Sequence, residues 1–263
     1  MWITLGISVH FYTFVHIFDK FLSKGRNSMI LIKKSMLLSA VMVIVLVVFL
    51  AIIVPTSVTA LSPKPKFTIV VDAGHGGIDG GVVGKTTGVH ERELNLSVAE
   101  KLEDYFISSG FGVVMTRKTQ KGLYDESLTR NFKRDDMEKR AQVIQQSNAN
   151  IVISIHMNFY SSSARRGSQV FFNRRNDASI NLGKSVQSVL NDAINLKHSG
   201  REYSALNGDY YILQCSQTPS IIVECGFLSN PIDEQLLIDE KFQLELAYHI
   251  FSGAVSYLLT EQG

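Results

Sequence analysis

Phe67–Gly77 reads FTIVVDAGHGG, and the fold follows from this stretch. Phe67–Val71 is apolar or β-branched throughout, without the alternation of a strand wetted on one side, as expected of a strand buried on both faces. The run ends at Asp72. The chain then enters a loop in which Gly74, Gly76, Gly77, Gly80 and Gly81 surround His75. Glycines let backbone approach closely and adopt dihedrals closed to other residues. The loop lacks GxGxxG and the Lys-Ser/Thr pair of a phosphate-binding loop. A histidine carried just beyond the carboxyl end of a buried strand is therefore the feature to explain.

The pattern continues downstream. Leu94, Val98, Leu102 and Phe106 fall at four-residue steps and predict one face of an amphipathic helix. Gly110 closes it, and Val113–Thr116 starts a second strand. Lys118–Arg134 is charged and lacks apolar periodicity, which predicts a long surface excursion. Asp135–Ser147 reads as a helix and Ile151–Ile155 (IVISI) as a third buried strand ending at His156. Ser168–Phe172, Tyr210–Leu213 and Ser220–Val223 read as strands, and Ile180–Leu196 and Leu244–Leu259 as helices. Strands alternating with helices predict an α/β fold, a single mainly parallel twisted sheet with helices on both faces.

The N-terminal region reads differently. Met36–Val54 is nineteen residues without a charge, close to the ~20 that cross a bilayer as a helix. Lys33 and Lys34 before it predict a cytoplasmic N-terminus and a large domain outside. The rival is a cleaved export signal, for which Val58-Thr59-Ala60 offers a small residue at a cleavage point. Residues 1–28 fit either a second apolar segment or untranslated upstream sequence, since Met29 also reads as a start. The division expected is residues 1–35 of open status, 36–54 a membrane anchor or signal core, 55–66 a linker containing Ser62-Pro63-Lys64-Pro65-Lys66, and 67–260 the catalytic domain.

Charge and cysteine content narrow the function. Five of 26 basic and one of 24 acidic residues precede Lys64, leaving 21 against 23 beyond it. That near-neutral domain carries no nucleic-acid footprint. Cys215 and Cys225 are too few for a disulfide framework. They are expected as free thiols, with a bridge open if their strands are neighbours.

His75, His156 and Glu224 each lie at or just past the carboxyl end of a predicted strand, where ligand sites of open α/β sheets form. Glu91 opens the helix after the first strand and can return to the same edge. Two histidines and a carboxylate, with one position open for water, is the layout of a catalytic zinc site. Glu224 follows Ile221-Ile222-Val223, where a carboxylate is costly to bury without a partner or a task. A separate glutamate is what such a site needs to move the water's proton. The plainer readings are a core histidine for His156 and a helix-dipole residue for Glu91, with His90 and Glu93 competing for the latter's role. Asn158 is a candidate substrate contact or a loop cap. Arg117 and Arg140 are candidates for carboxylates of a peptide, against plain surface charge. His10, His16, His198 and His249 are assigned nothing.

Together, VVDAGHGGIDGG, the Glu91–Leu96 segment, SIHMN at Ser154–Asn158 and VECGFLSN at Val223–Asn230 resemble the zinc-dependent N-acetylmuramoyl-L-alanine amidases of the amidase-3 type, over about Phe67–Leu259. The resemblance implies one zinc ion per chain, bound by His75, Glu91 and His156, and Glu224 as catalytic base. It implies hydrolysis of the amide between N-acetylmuramic acid and L-alanine in peptidoglycan. Departures are Lys118-Thr119-Gln120 after Thr116-Arg117, where the family has an Asp, and Cys225 where Leu or Val is common. The short form, with an LNGDYYIL segment at Leu206–Leu213, is similar to the germination-specific amidases of spore-forming bacteria, which act on the way to muramic lactam in spore cortex. Alternatives are another zinc peptidase of wall peptides or a non-catalytic wall-binding domain. Need for a protein activator is not legible.

Overall fold

A computed structural model describes residues 34–60, 65–128 and 130–260. The expectations for residues 1–33 and for residues 61–64 of the linker lie outside them. The chain divides into two compact units, 1–63 and 64–263.

In the first unit, helix α1 spans Lys34–Ala60. Its side chains are described over residues 37–50, and from Leu38 onward they are exposed. Among the described residues no helix is long and apolar enough to cross a membrane.

The second unit is built on six strands: β1 (Thr68–Ala73), β2 (Gly112–Met115), β3 (Ile151–Asn158), β4 (Gln169–Phe172), β5 (Leu206–Asn207) and β6 (Ser220–Phe227). They lie in the order β2-β1-β3-β6-β4-β5. All neighbours are parallel except β4 with β6, which run antiparallel, so the sheet is mixed rather than purely parallel. The helices are α2 (Glu91–Ser108), α3 (Phe132–Gln146), α4 (Asp177–Leu190), α5 (Leu196–Ser199), α6 (Tyr211–Gln214), α7 (Pro231–Ile238) and α8 (Glu240–Thr260), with a π-helical turn at Asn191–Asn195 between α4 and α5.

Because strand side chains alternate, the two sheet faces draw on different residues. One face sends Ile69, Val71, Ile153, Ile155, Ile221 and Val223 into a large core with Leu102 of α2, Leu182 of α4 and Ile250 of α8. The other sends Val70, Val152 and Ile222 into a small cluster with Ile144 of α3 and Ile212 and Leu213 of α6. Toward the carboxyl ends this second face turns polar. Asp72 lies beside Ser154, and one step further His156 lies beside Glu224.

Several elements differ from expectation: residues 55–60, expected within the linker, are helical, and the short strand β5 was not expected. Tyr210–Leu213 is not a strand: Tyr211–Gln214 is a helical turn, with Ile212 and Leu213 buried and Tyr210 and Tyr211 exposed. An exposed pair followed by a buried pair matches a helical turn, whereas a strand would alternate them. Helix α7 was unforeseen, although Asn230 caps it by accepting from the Ile232 and Asp233 amides and Pro231 occupies its first turn.

Candidate metal centre

The polar ends of β1 and β3 and the first residue of α2 converge. One ligand atom each from His75, Glu91 and His156 lies within 4.8 Å of the others. His75 Nε2 is 3.2 Å from Glu91 Oε2, and His156 Nδ1 is 2.9 Å from Glu91 Oε1. The imidazoles meet edge to face with centroids 5.0 Å apart.

Local structure sets each donor. His75 has φ 60°, left-handed and unusual outside glycine, which swings the ring off β1 toward the site. At Gly74 a Cβ would lie 2.2 Å from the His156 ring, so glycine is what lets the two segments close. Glu91 is buried, and it accepts from the Val82 amide at 2.9 Å and the Met157 amide at 3.1 Å. Of the three side chains competing for this role, His90 is the residue preceding α2 and Glu93 is half-exposed beside Arg92. Glu91 alone reaches both histidines.

The charges are tightly coupled. Burial disfavours protonation of His75, but Asp79, at 2.9 Å from Nδ1, and Glu91 outweigh it and raise the imidazole to about 9. Burial would raise Glu91, yet its contacts with His156 and His75 hold it well below the usual carboxylate range. Asp79 likewise stays low through His75 and Lys133. Glu224 goes the other way. Burial lifts it to about 7, with His156 and His75 opposing and Glu91 adding to the rise. Its Oε2 is out of contact with solvent and has no hydrogen-bond partner among the described residues.

These residues fit a zinc ion. Two imidazoles and a carboxylate are a zinc donor set. Asp79 orients His75 through the ring nitrogen turned away from Glu91, as carboxylates orient ligand histidines. All three donors and Glu224 line one cavity of about 470 Å³.

Beneath the donors is a buried polar platform that the motifs did not disclose. Asp72 accepts from Thr116 Oγ1 (2.6 Å), Ser154 Oγ (2.5 Å) and Arg140 Nη1 (2.6 Å). Arg140 is almost wholly buried, and it also donates to Asp136 (2.6 Å) and to the carbonyls of Ala73 (2.7 Å) and His75 (2.5 Å). Arg117 donates to the Ala73, Gly74, Arg92 and Thr119 carbonyls. Two candidates for peptide carboxylates thus have their donors engaged in holding the His75 loop. Asn158 lines the cavity, and its Oδ1 accepts from the Phe159 amide. Cys215 and Cys225 are free thiols. Asp79 was missed too, although it stands four residues after His75 in the same glycine-rich loop.

The chain is similar to known proteins. A germination-specific N-acetylmuramoyl-L-alanine amidase of Bacillus subtilis is 34% identical over 198 residues, 74% of this chain and 81% of that protein. The CwlD amidase of Clostridioides difficile, solved in complex with the GerS lipoprotein, superposes with a TM-score of 0.69 at 36% identity, over 74% of this chain and 100% of that one. The catalytic domain of CwlV, an N-acetylmuramoyl-L-alanine amidase from Bacillus (Paenibacillus) polymyxa var. colistinus, gives 0.63 at 29% identity, over 73% and 98%. The Amidase_3 profile, described as N-acetylmuramoyl-L-alanine amidase, matches residues 69–256, and the chain belongs to that family of peptidoglycan amidases.

Proposed function

We propose that this amidase works as a zinc enzyme in which His75, Glu91 and His156 hold the metal and Glu224 moves the proton. The buried, unpartnered Oε2 of Glu224 beside the donor triad carries this reading. Bound zinc would supply Lewis acidity, acidifying a water and polarising the scissile carbonyl. Glu224 takes the proton of the attacking water and delivers it to the departing alanine nitrogen. A carboxylate beside the donor triad, with no partner for its Oε2 among the described residues, is placed to serve both halves of that exchange. Asp79 fixes the His75 ring, and the Asp72–Arg140–Arg117 platform fixes its backbone. Asn158, on the cavity wall, is the remaining candidate for substrate contact.

The same proposal extends to place and partner. The Bacillus subtilis relative is named germination-specific, which supports spore cortex as the substrate. The Clostridioides difficile neighbour was solved with a lipoprotein, which supports a protein partner of that kind. Lys33 and Lys34 before the uncharged run Met36–Val54 support, from the sequence, an anchor or export segment that leaves the catalytic domain outside the cytoplasm.

One experiment tests the reaction. Purified cortex and vegetative peptidoglycan are digested with the metal-loaded chain and the products are weighed by mass spectrometry. Peptides with a free N-terminal L-alanine and glycan carrying unsubstituted muramic acid are expected. Peptides cut internally, with L-alanine still on muramic acid, would mean a peptidase instead.

A further inference from the structure

The substrate of the proposed reaction has two unlike halves. The glycan half is uncharged, with C–H faces and hydroxyls. The peptide half carries carboxylates. The cavity around the metal centre has two unlike linings as well.

One lining is aromatic and apolar. Tyr210 and Tyr211, at the start of α6, are 42% and 52% exposed and join Ile212 and Met137 on the cavity wall. Tyr210 is held in place. Phe171 packs edge to face on it at 5.7 Å, and a Cβ at Gly208 would lie 2.6 Å from its ring. Met137 and Tyr211 also line an adjoining open cleft beside Arg134 and Glu138, so the wall continues beyond the site, as a polymer requires. The charged groups along it are already matched: Lys133 with Asp79 and Arg134 with Glu138.

Elsewhere the wall is backed by cations that do not line the cavity themselves. Phe159 is on the cavity wall, with the Lys85 ammonium 5.2 Å from its ring centre. Next in sequence, Tyr160 carries the Arg165 guanidinium at 4.9 Å. Neither cation has an ion-pair partner among the described residues.

We propose that the Tyr210–Tyr211 wall is the subsite for the muramyl sugar, and that the Lys85–Phe159 rim takes the carboxylates of the stem peptide. Sugar C–H faces stack on aromatic faces and need no counter-charge; a carboxylate seeks a free cation. The inference rests on the amidase reading, and its test is separable from that reading because it measures binding.

Metal-loaded full-length Glu224→Gln protein is titrated calorimetrically with the disaccharide N-acetylglucosaminyl-N-acetylmuramic acid, its lactyl carboxyl capped as the N-methylamide so that the probe is uncharged, and, separately, with L-alanyl-D-glutamate. Tyr211→Ala in this background should weaken disaccharide binding about three- to tenfold, the scale of one aromatic contact, and leave dipeptide binding unchanged. Tyr211→Phe should restore the parent value. Lys85→Ala should weaken the dipeptide and spare the disaccharide. Equal weakening of both probes by Tyr211→Ala, no weakening of the disaccharide, or a parent that fails to bind the disaccharide overturns the proposal. Failure of the wild-type chain to cleave a disaccharide-peptide would instead overturn the amidase reading.

Discussion

The two faces of the central sheet carry the same strands and opposite chemistry. The face under α2, α4 and α8 is apolar from end to end, with Ile69, Ile153, Ile155, Ile221 and Val223 fully buried. The face under α3 and α6 is apolar only at its base, at Val70, Val152 and Ile222, and climbs through Asp72 and Ser154 to His156 and Glu224. The first face is the source of stability and the second trades apolar burial for a reactive edge. Every polar group on the second face needs a partner: Asp72, Ser154 and Arg140 satisfy one another and Glu91 meets His156, while Glu224 Oε2 is left without one among the described residues.

Substitution on the reactive edge should abolish function while sparing the fold. His75→Ala or His156→Ala should lower metal affinity by more than the ~10- to 100-fold that loss of a supporting partner costs, and bring amide hydrolysis to background. Metal content by atomic emission and unfolding by circular dichroism read both sides of the claim; full metal occupancy in both variants would dissolve the site assignment.

The apolar face should behave inversely. Leu102 is fully buried in α2, and Leu102→Ala should cost about 2–5 kcal/mol of stability with metal stoichiometry intact. Loss of metal before loss of fold in denaturant titrations of this variant would show that the faces are not separable.

Acid provides the finest probe. Burial would raise Asp72, but Arg140, Ser154 and Thr116 outweigh it and bring it down to about 2 from 3.8. A depressed carboxyl stabilises the fold above its unfolded pKa, and that stability disappears as pH falls from about 4 through 2. The shift corresponds to about 2 kcal/mol. Asp72→Asn should flatten the stability profile across that window, and an unchanged slope would show that the platform is not charged as described.

Much of this contrast is legible in the sequence. Continuous β-branched runs announce β1, β3 and β6, and their polar terminations place His75, His156 and Glu224 on one edge. The direction of β4 is not encoded in its apolar pattern, since parallel and antiparallel strands can bury the same run. Tyr210–Leu213 misleads because four apolar residues have no period long enough to separate strand from helical turn. Arg140 reads as surface charge within a polar helix, and only the fold reveals that Asp72 and Asp136 meet it inside. Helix α7 was readable from Asn230-Pro231, a cap followed by the residue best suited to a first helical turn.

The central claim is that one face of the sheet presents a metal centre and, separately, a buried base. Glu224→Gln keeps the side chain's shape and removes the base. Metal content and rate of amide hydrolysis, measured on the same preparation, should show one ion per chain retained and activity reduced by ~10²-fold or more. Activity within a few-fold of wild type, or loss of the metal along with the carboxylate, would contradict it.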